Sequence, residues 1–311
     1  MIANSLVDLI GQTPMLRLNR LASGLDAEIL AKLEMFNPYS LKDRPALFII
    51  EEAERAGQLR PGGTIVEASS GNAGTALAYI GRLKGYRVVI CMAENMSAEH
   101  ARRMRALGAE VVLTPAAEAM EGARRRAVEL ARSQPDAVYL EQHHNPANAR
   151  SHFETTAEEI WRDTEGRVDI FIHGLGSCGT MVGVARALKA RKPTVRCIGY
   201  EPEGAALLSQ GEFHPHRLLG IGPGFVPRLF DPTVMDEIRT VRAQDAFAAC
   251  RRIALEEGLL VGITSGASAH LALELACRPE NVGKTIVIIF ADSGEGYLSV
   301  EGLFPDRPLD R

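Results

Sequence analysis

Apolar residues fall into short, strand-sized runs separated by longer stretches with helical spacing. The runs at 27–33, 64–68, 87–92, 110–113, 138–140, 169–173, 195–200 and 285–290 are predicted strands. The stretches between them have recognisable helix ends. Ser97 is a candidate N-cap for a helix running through 101–107, and Gly108 suits the position just past its end. Such β-α alternation predicts parallel sheets covered by helices on both faces, a doubly wound α/β protein. Ligands in such folds gather at the carboxyl ends of strands, so glycine- and serine-rich loops that directly follow a strand carry most weight. The least regular regions, 34–44 and 203–232, are candidate hinges or active-site walls.

Composition narrows the partners. The 311 residues suffice for two α/β lobes. An apolar content of 46% with 24% charged residues is that of an ordinary globular protein. A net charge of −4 leaves no basic surplus for a phosphate backbone, so nucleic acid is excluded as a partner. The run Arg124-Arg125-Arg126 is read as a solvated helix face. No basic residue precedes Arg17, so the start lacks the charged region of a secretory signal, and no apolar run reaches the ~20 residues of a membrane span. Cys91, Cys178, Cys197, Cys250 and Cys277 are scattered and odd in number, without a CxxC pair. They predict reduced thiols and a cytoplasmic location. His143, His144, His173, His214 and His216 lack metal-ligand spacing, so no metal is expected.

Four loops carry candidate chemistry. In Asn37-Pro-Tyr-Ser-Leu-Lys-Asp-Arg44, Ser40 is predicted to cap a helix from Leu41. That puts Lys42 in the first helical turn, against the helix dipole. An imine formed with an aldehyde cofactor would relieve that conflict, although Lys42 alone also reads as a solvated surface lysine. Glu67-Ala-Ser-Ser-Gly-Asn-Ala-Gly74 follows a strand and offers more polar groups than a cap needs, as a carboxylate site would. Gly174-Leu-Gly-Ser-Cys-Gly-Thr180 follows another strand, opens a helix and fits GxGxxG. With Glu201 some twenty residues on, it also fits a dinucleotide fingerprint, hence a nicotinamide dehydrogenase; pyrophosphate and single phosphate are not separable locally. In Val261-Gly-Ile-Thr-Ser-Gly-Ala-Ser268, Thr264 and Ser265 are candidate caps of a helix from Ala267.

Taken together and in order, these loops resemble the cysteine synthase (O-acetylserine sulfhydrylase) and cystathionine β-synthase family of pyridoxal-phosphate (PLP) enzymes. That family reads NPxxSxKDR, a TSGNTG-like loop, GxGTGGT and SSGA. Ile10-Gly-Gln-Thr-Pro-Met-Leu16 is similar to its IGxTPL, Gln142-His-His-Asn-Pro-Ala-Asn148 to its QxxNPAN, and Gly220-Ile-Gly-Pro-Gly-Phe225 to its GIGxGF. Asp292-Ser-Gly-Glu295 with Tyr297-Leu-Ser299 resembles its DSGxxYLS. The landmarks span nearly the whole chain.

The resemblance implies fold type II: two doubly wound lobes with largely parallel sheets and PLP in the cleft between them. The smaller, mobile lobe would be 41–147; the larger, discontinuous one would be 1–40 plus 148–311. Lys42 would hold the cofactor as an imine and shuttle the α-proton. Ser69, Ser70, Asn72 and Gln142 would bind the substrate carboxylate, and Asn72 would also meet the cofactor's ring oxygen. Gly176, Ser177, Cys178, Gly179 and Thr180 would cradle the phosphate, and Ser265 would face the pyridine nitrogen. A neutral hydroxyl there cannot hold that nitrogen protonated, which suits β-elimination better than transamination.

The reaction so implied is β-replacement on O-acetylserine by sulfide, through α-aminoacrylate, giving L-cysteine. O-phosphoserine, another thiol or amine, and a PLP lyase or dehydratase are the alternatives, with Arg217 a candidate for a phosphorylated donor. A homodimer and a bound serine acetyltransferase tail are also implied, the latter for some relatives. Ala73, Cys178 and Gly296 depart from the pattern, where Thr, Gly and Arg are usual. Cys178, at a helix N-terminus, is either a reactive thiol or a passive small residue.

Overall fold

A computed structural model describes residues 2–304. Its strands, in chain order, are β1 (Met15–Arg17), β2 (Glu28–Lys32), β3 (Thr64–Ala68), β4 (Arg87–Ala93), β5 (Glu110–Thr114), β6 (Ala137–Tyr139), β7 (Val168–Gly174), β8 (Arg196–Pro202), β9 (Glu237–Val241) and β10 (Thr285–Ile289). The α-helices are α1 (Asp43–Arg55), α2 (Asn72–Leu83), α3 (Ala98–Ala106), α4 (Ala119–Ser133), α5 (Pro146–Ser151), α6 (Ala157–Asp163), α7 (Gly179–Arg191), α8 (Leu207–Gln210), α9 (Ala243–Glu256) and α10 (Ile263–Ala276). No helix of the described residues is long and apolar enough to cross a membrane.

The chain forms two compact units, residues 2–10 with 37–151, and residues 11–36 with 152–304. The first holds an all-parallel sheet in the order β5-β4-β3-β6. Its central strand Thr-Ile-Val-Glu-Ala is buried at every position, because helices cover both faces and leave no polar side for alternation to mark. The one misfit is Glu67. The second unit holds a sheet in the order β1-β2-β10-β7-β8-β9. All of its pairs are parallel except β1 with β2. The last strand, β10, thus lies between β2 and β7, in register with Ile29–Lys32 on one side and Ile170–Ile172 on the other.

Two strands escape the apolar pattern. β1 is three residues long, and β9 (Glu-Ile-Arg-Thr-Val) is half-buried at four of five positions because it borders the sheet. Near Ser97 the expectation holds: its side chain accepts the His100 N–H at the start of α3, and Gly108 takes φ 91° beyond its end.

α10 begins earlier than predicted. Its N-cap is Gly262, which offers no side chain, so Thr264 and Ser265 lie inside the helix and do not cap it. The helix is apolar or small nearly all round and packs tightly on α9. A Cβ at Gly266 would sit 2.3 Å from the Ala246 carbonyl oxygen and 2.4 Å from Cys250 Sγ. Both obstacles belong to a packed helix, so neither yields cheaply. Gly266→Ala is expected to destabilise the protein by about 1–3 kcal/mol or more. Urea unfolding measures this, and an unchanged midpoint would refute the tight crossing.

Candidate functional site

Lys42 ends the Asn37–Lys42 turn. It stands at the N-cap of α1, one residue before the helix, whereas the sequence placed it inside the first turn. The reason lies in Asp43, whose carboxylate accepts the N–H groups of Tyr39 (2.8 Å) and Ser40 (3.2 Å). Ser40 Oγ accepts the Lys42 N–H at 3.1 Å, and the Lys42 carbonyl accepts Ala46 N–H, the first bond of the helix. An ammonium at this end still meets the positive pole of the helix.

His143 lies close enough to feel the Lys42 charge. Burial first, then repulsion from Lys42, drives its imidazole down to about 3, so it is neutral at physiological pH.

The same unit carries the Ser69–Gly74 loop, between β3 and α2. Ser69 Oγ accepts Gly74 N–H at 2.9 Å, which folds the loop over its own helix start, while Ser70 and Asn72 keep part of their surface open. Ala73, in place of the usual Thr, is buried. Gln142 is brought to this loop by Glu67, whose role the sequence did not disclose. One Glu67 carboxyl oxygen accepts Ala68 N–H (2.9 Å) and the other accepts Gln142 N–H (3.2 Å), while Gln142 Nε2 reaches the Ala68 carbonyl at 3.5 Å. A carboxyl inside an otherwise apolar strand was the available signal, but its partner is 75 residues away.

Burial pushes the fully buried Glu67 from 4.5 up to about 8, against the pull of those two backbone N–H groups. Folding therefore favours its protonated form. The stability it contributes is complete below about 4.5 and is lost as pH rises through about 8. Between these limits, unfolding free energy should fall with pH more steeply in the wild type than in Glu67→Gln. Denaturant titrations of both across that interval test this, and parallel pH profiles would contradict it.

In the second unit, Gly174-Leu-Gly-Ser-Cys-Gly-Thr180 joins β7 to α7. Cys178 occupies the N-cap in the left-handed region, at φ 65°, which accounts for the glycine usual there. It is buried, with Sγ 3.8 Å from the Gly176 carbonyl oxygen. A Cβ on Gly176 would come within 2.8 Å of the Gly220 carbonyl oxygen, so glycine alone lets the Gly220–Phe225 loop close on it. Gly222 N–H fastens that loop to the Leu175 carbonyl at 3.0 Å. Gly220 also adjoins Thr264, and Tyr200 Oη donates to the Thr264 carbonyl at 2.6 Å. Gly176–Thr180, Gly220–Phe225 and Thr264–Ser265 thus form one assembly.

Ser265 is fully buried, and its Oγ accepts Ala291 N–H at 3.0 Å. With its oxygen so engaged, the hydroxyl proton is available to an aromatic nitrogen acceptor. The outward N–H groups of the first turn of α7, with the Ser177 and Thr180 hydroxyls, suit a phosphate dianion. These groups could hold PLP by its phosphate and ring nitrogen.

The dehydrogenase reading does not survive. Glu201 is 1% exposed, and its carboxylate accepts Leu208 N–H, Ser209 N–H and the Ser209 hydroxyl at 2.8–2.9 Å. It holds the start of α8 and is not open to a ribose. Arg217 is similarly engaged, donating to the Glu301 carbonyl and lying 5.1 Å from the Phe247 ring centre.

Comparisons with known proteins give the family. Residues 6–292 match the family described as pyridoxal-phosphate dependent enzyme. Cysteine synthase 3 of Caenorhabditis elegans is 44% identical over 296 residues, which cover 94% of this chain and 88% of the relative. A crystal structure of cysteine synthase from Entamoeba histolytica superposes with a TM-score of 0.94 at 39% identity, over 99% of this chain and 93% of that one. O-ureido-L-serine synthase superposes at 0.95 with 40% identity, over 100% and 98%. The α/β class with mostly parallel sheets, expected from the sequence, is the class of these matches.

Proposed function

Because the chain belongs to the pyridoxal-phosphate dependent enzyme family, we propose that it catalyses β-replacement on O-acetyl-L-serine with sulfide, forming L-cysteine and acetate. Relatives named cysteine synthase, matching over nearly the full length, support that choice of reaction. The observation that carries it within the chain is Ser265, whose oxygen is taken by Ala291 N–H and whose proton is left to donate.

When bound, PLP supplies an aldehyde carbon and an electron-withdrawing ring that acidify the substrate's α-proton. Lys42 would hold the cofactor through Nζ, and the same Nζ, once the substrate's amine has taken its place, would remove the proton from Cα and return it after acetate has left and the nucleophile has added at Cβ. Ser70, Asn72 and Gln142 hold the substrate carboxylate, with Ser69 shaping the loop and Glu67 fixing Gln142 against it. Asn72 would also meet the cofactor's ring oxygen. Gly176, Ser177, Cys178, Gly179 and Thr180 anchor the phosphate. Ser265 would donate a hydrogen bond to the ring nitrogen, a neutral partner that cannot hold that nitrogen protonated. A neutral donor at that position suits loss of a β-substituent better than transamination.

The chain acts on small molecules, as a cytoplasmic homodimer, with a serine acetyltransferase tail as a further partner of the kind some relatives bind. Five scattered cysteines, odd in number and without a CxxC pair, support a reducing compartment. The test is product analysis with O-acetyl-L-serine and sulfide. Cysteine and acetate in equal amounts are expected. Pyruvate and ammonia with no cysteine would overturn replacement in favour of a lyase.

A further inference from the structure

His152 was not a candidate in the sequence, yet it is fully buried beneath the α7 loop. It opens a π-helical turn, His152–Thr156, a distortion that recurs at functional sites. Its Nε2 lies 3.1 Å from Thr180 Oγ1, and its Nδ1 lies 2.9 Å from Thr156 Oγ1. Thr156 is fully buried and Thr180 is 3% exposed.

The protons in this chain of three side chains can be placed. The Thr156 hydroxyl needs an acceptor, and among the described residues His152 Nδ1 is the only one its Oγ1 reaches. An Nδ1–H, whether in the other neutral tautomer or in imidazolium, would strand that hydroxyl proton in the interior, at a cost of about 1–3 kcal/mol. Nδ1 therefore accepts, and the ring proton resides on Nε2. Nε2–H then donates to Thr180 Oγ1, filling one of its lone pairs. The Thr180 hydroxyl proton is left to point away from the ring, toward whatever the first turn of α7 binds. With the opposite tautomer, Thr180 would give its proton to the imidazole and turn lone pairs toward an anion.

We propose that His152 is a positioning residue that fixes the Thr180 hydroxyl as a donor to the cofactor's phosphate. The relay Thr156 to His152 to Thr180 is set by tautomer and burial before the cofactor arrives. The proposal rests on the PLP reading given above.

The first test needs no variant. Long-range proton–nitrogen correlation on the ¹⁵N-labelled holoenzyme should show His152 as the Nε2–H tautomer; an Nδ1–H tautomer or imidazolium would overturn the relay. The second test is the PLP dissociation constant, read by fluorescence titration of cofactor-stripped protein. Loss of one hydrogen bond to a charged group corresponds to a roughly 10- to 100-fold weakening, expected for Thr180→Val and approached by His152→Leu. The double variant should be no weaker than Thr180→Val alone, because His152 acts through Thr180. His152→Gln, with one acceptor and one donor, should recover most of the affinity. Independent, additive losses would reduce His152 to a packing role and overturn the proposal. Failure of the wild type to take up PLP would overturn the PLP reading and the relay with it. Uptake with the wrong tautomer or with additive losses overturns the relay alone.

Discussion

Lys42→Ala is expected to lose the yellow colour of the lysine-bound cofactor and to lower kcat/KM by about 10³-fold or more. Removal of a general acid–base group costs about 10²–10⁴-fold by itself, and the same substitution here also removes the covalent attachment. Absorption spectra and steady-state rates on O-acetylserine and sulfide measure the two effects. The fold should be unaffected, since Asp43 and Ser40 hold the start of α1 through the backbone N–H groups of Tyr39, Ser40 and Lys42. A coloured and active Lys42→Ala protein would remove Lys42 from the chemistry.

The second large effect lies away from that residue. Lys32, at the end of β2, is fully buried with Nζ 2.8 Å from Glu159 and 3.3 Å from Asp163, and it donates to the Thr13 carbonyl at 2.5 Å. The other Glu159 oxygen accepts Gln12 N–H at 3.0 Å, so this cluster pins the Gly11–Pro14 segment to α6. Lys32→Met would leave the Glu159 carboxylate buried without its cation, which costs about 3–5 kcal/mol. The Lys32→Met/Glu159→Leu double variant should recover much of that loss, because the uncompensated charge is gone. Urea unfolding of the set decides the matter, and a loss below ~1 kcal/mol in the single variant would show the pair to be solvated.

The sequence disclosed those parts of the fold whose surroundings are uniform. Strands such as β3 and β10 are buried on both faces and read as mainly apolar runs, and the loops that follow β3 and β7 read as ligand loops. β9 was missed because it borders a sheet and alternates between Ile, Arg and Thr. The start of α10 was misplaced because Gly262 opens it without a capping side chain, whereas Thr264 and Ser265 look like caps. Glu67 and His152 were silent for another reason. Each acts on a partner 75 or 28 residues away, a distance no local spacing encodes. Glu201 shows the converse, since its position fits a ribose-binding acid and only its three hydrogen bonds reveal a helix start.

The central claim concerns which lysine carries the cofactor, and the chain has only six. Borohydride reduction of the holoenzyme makes that attachment permanent, and mass spectrometry of the digest then locates it. The account predicts the phosphopyridoxyl group on Lys42 alone. Modification of any of the other five lysines in its place, or of none, would contradict it.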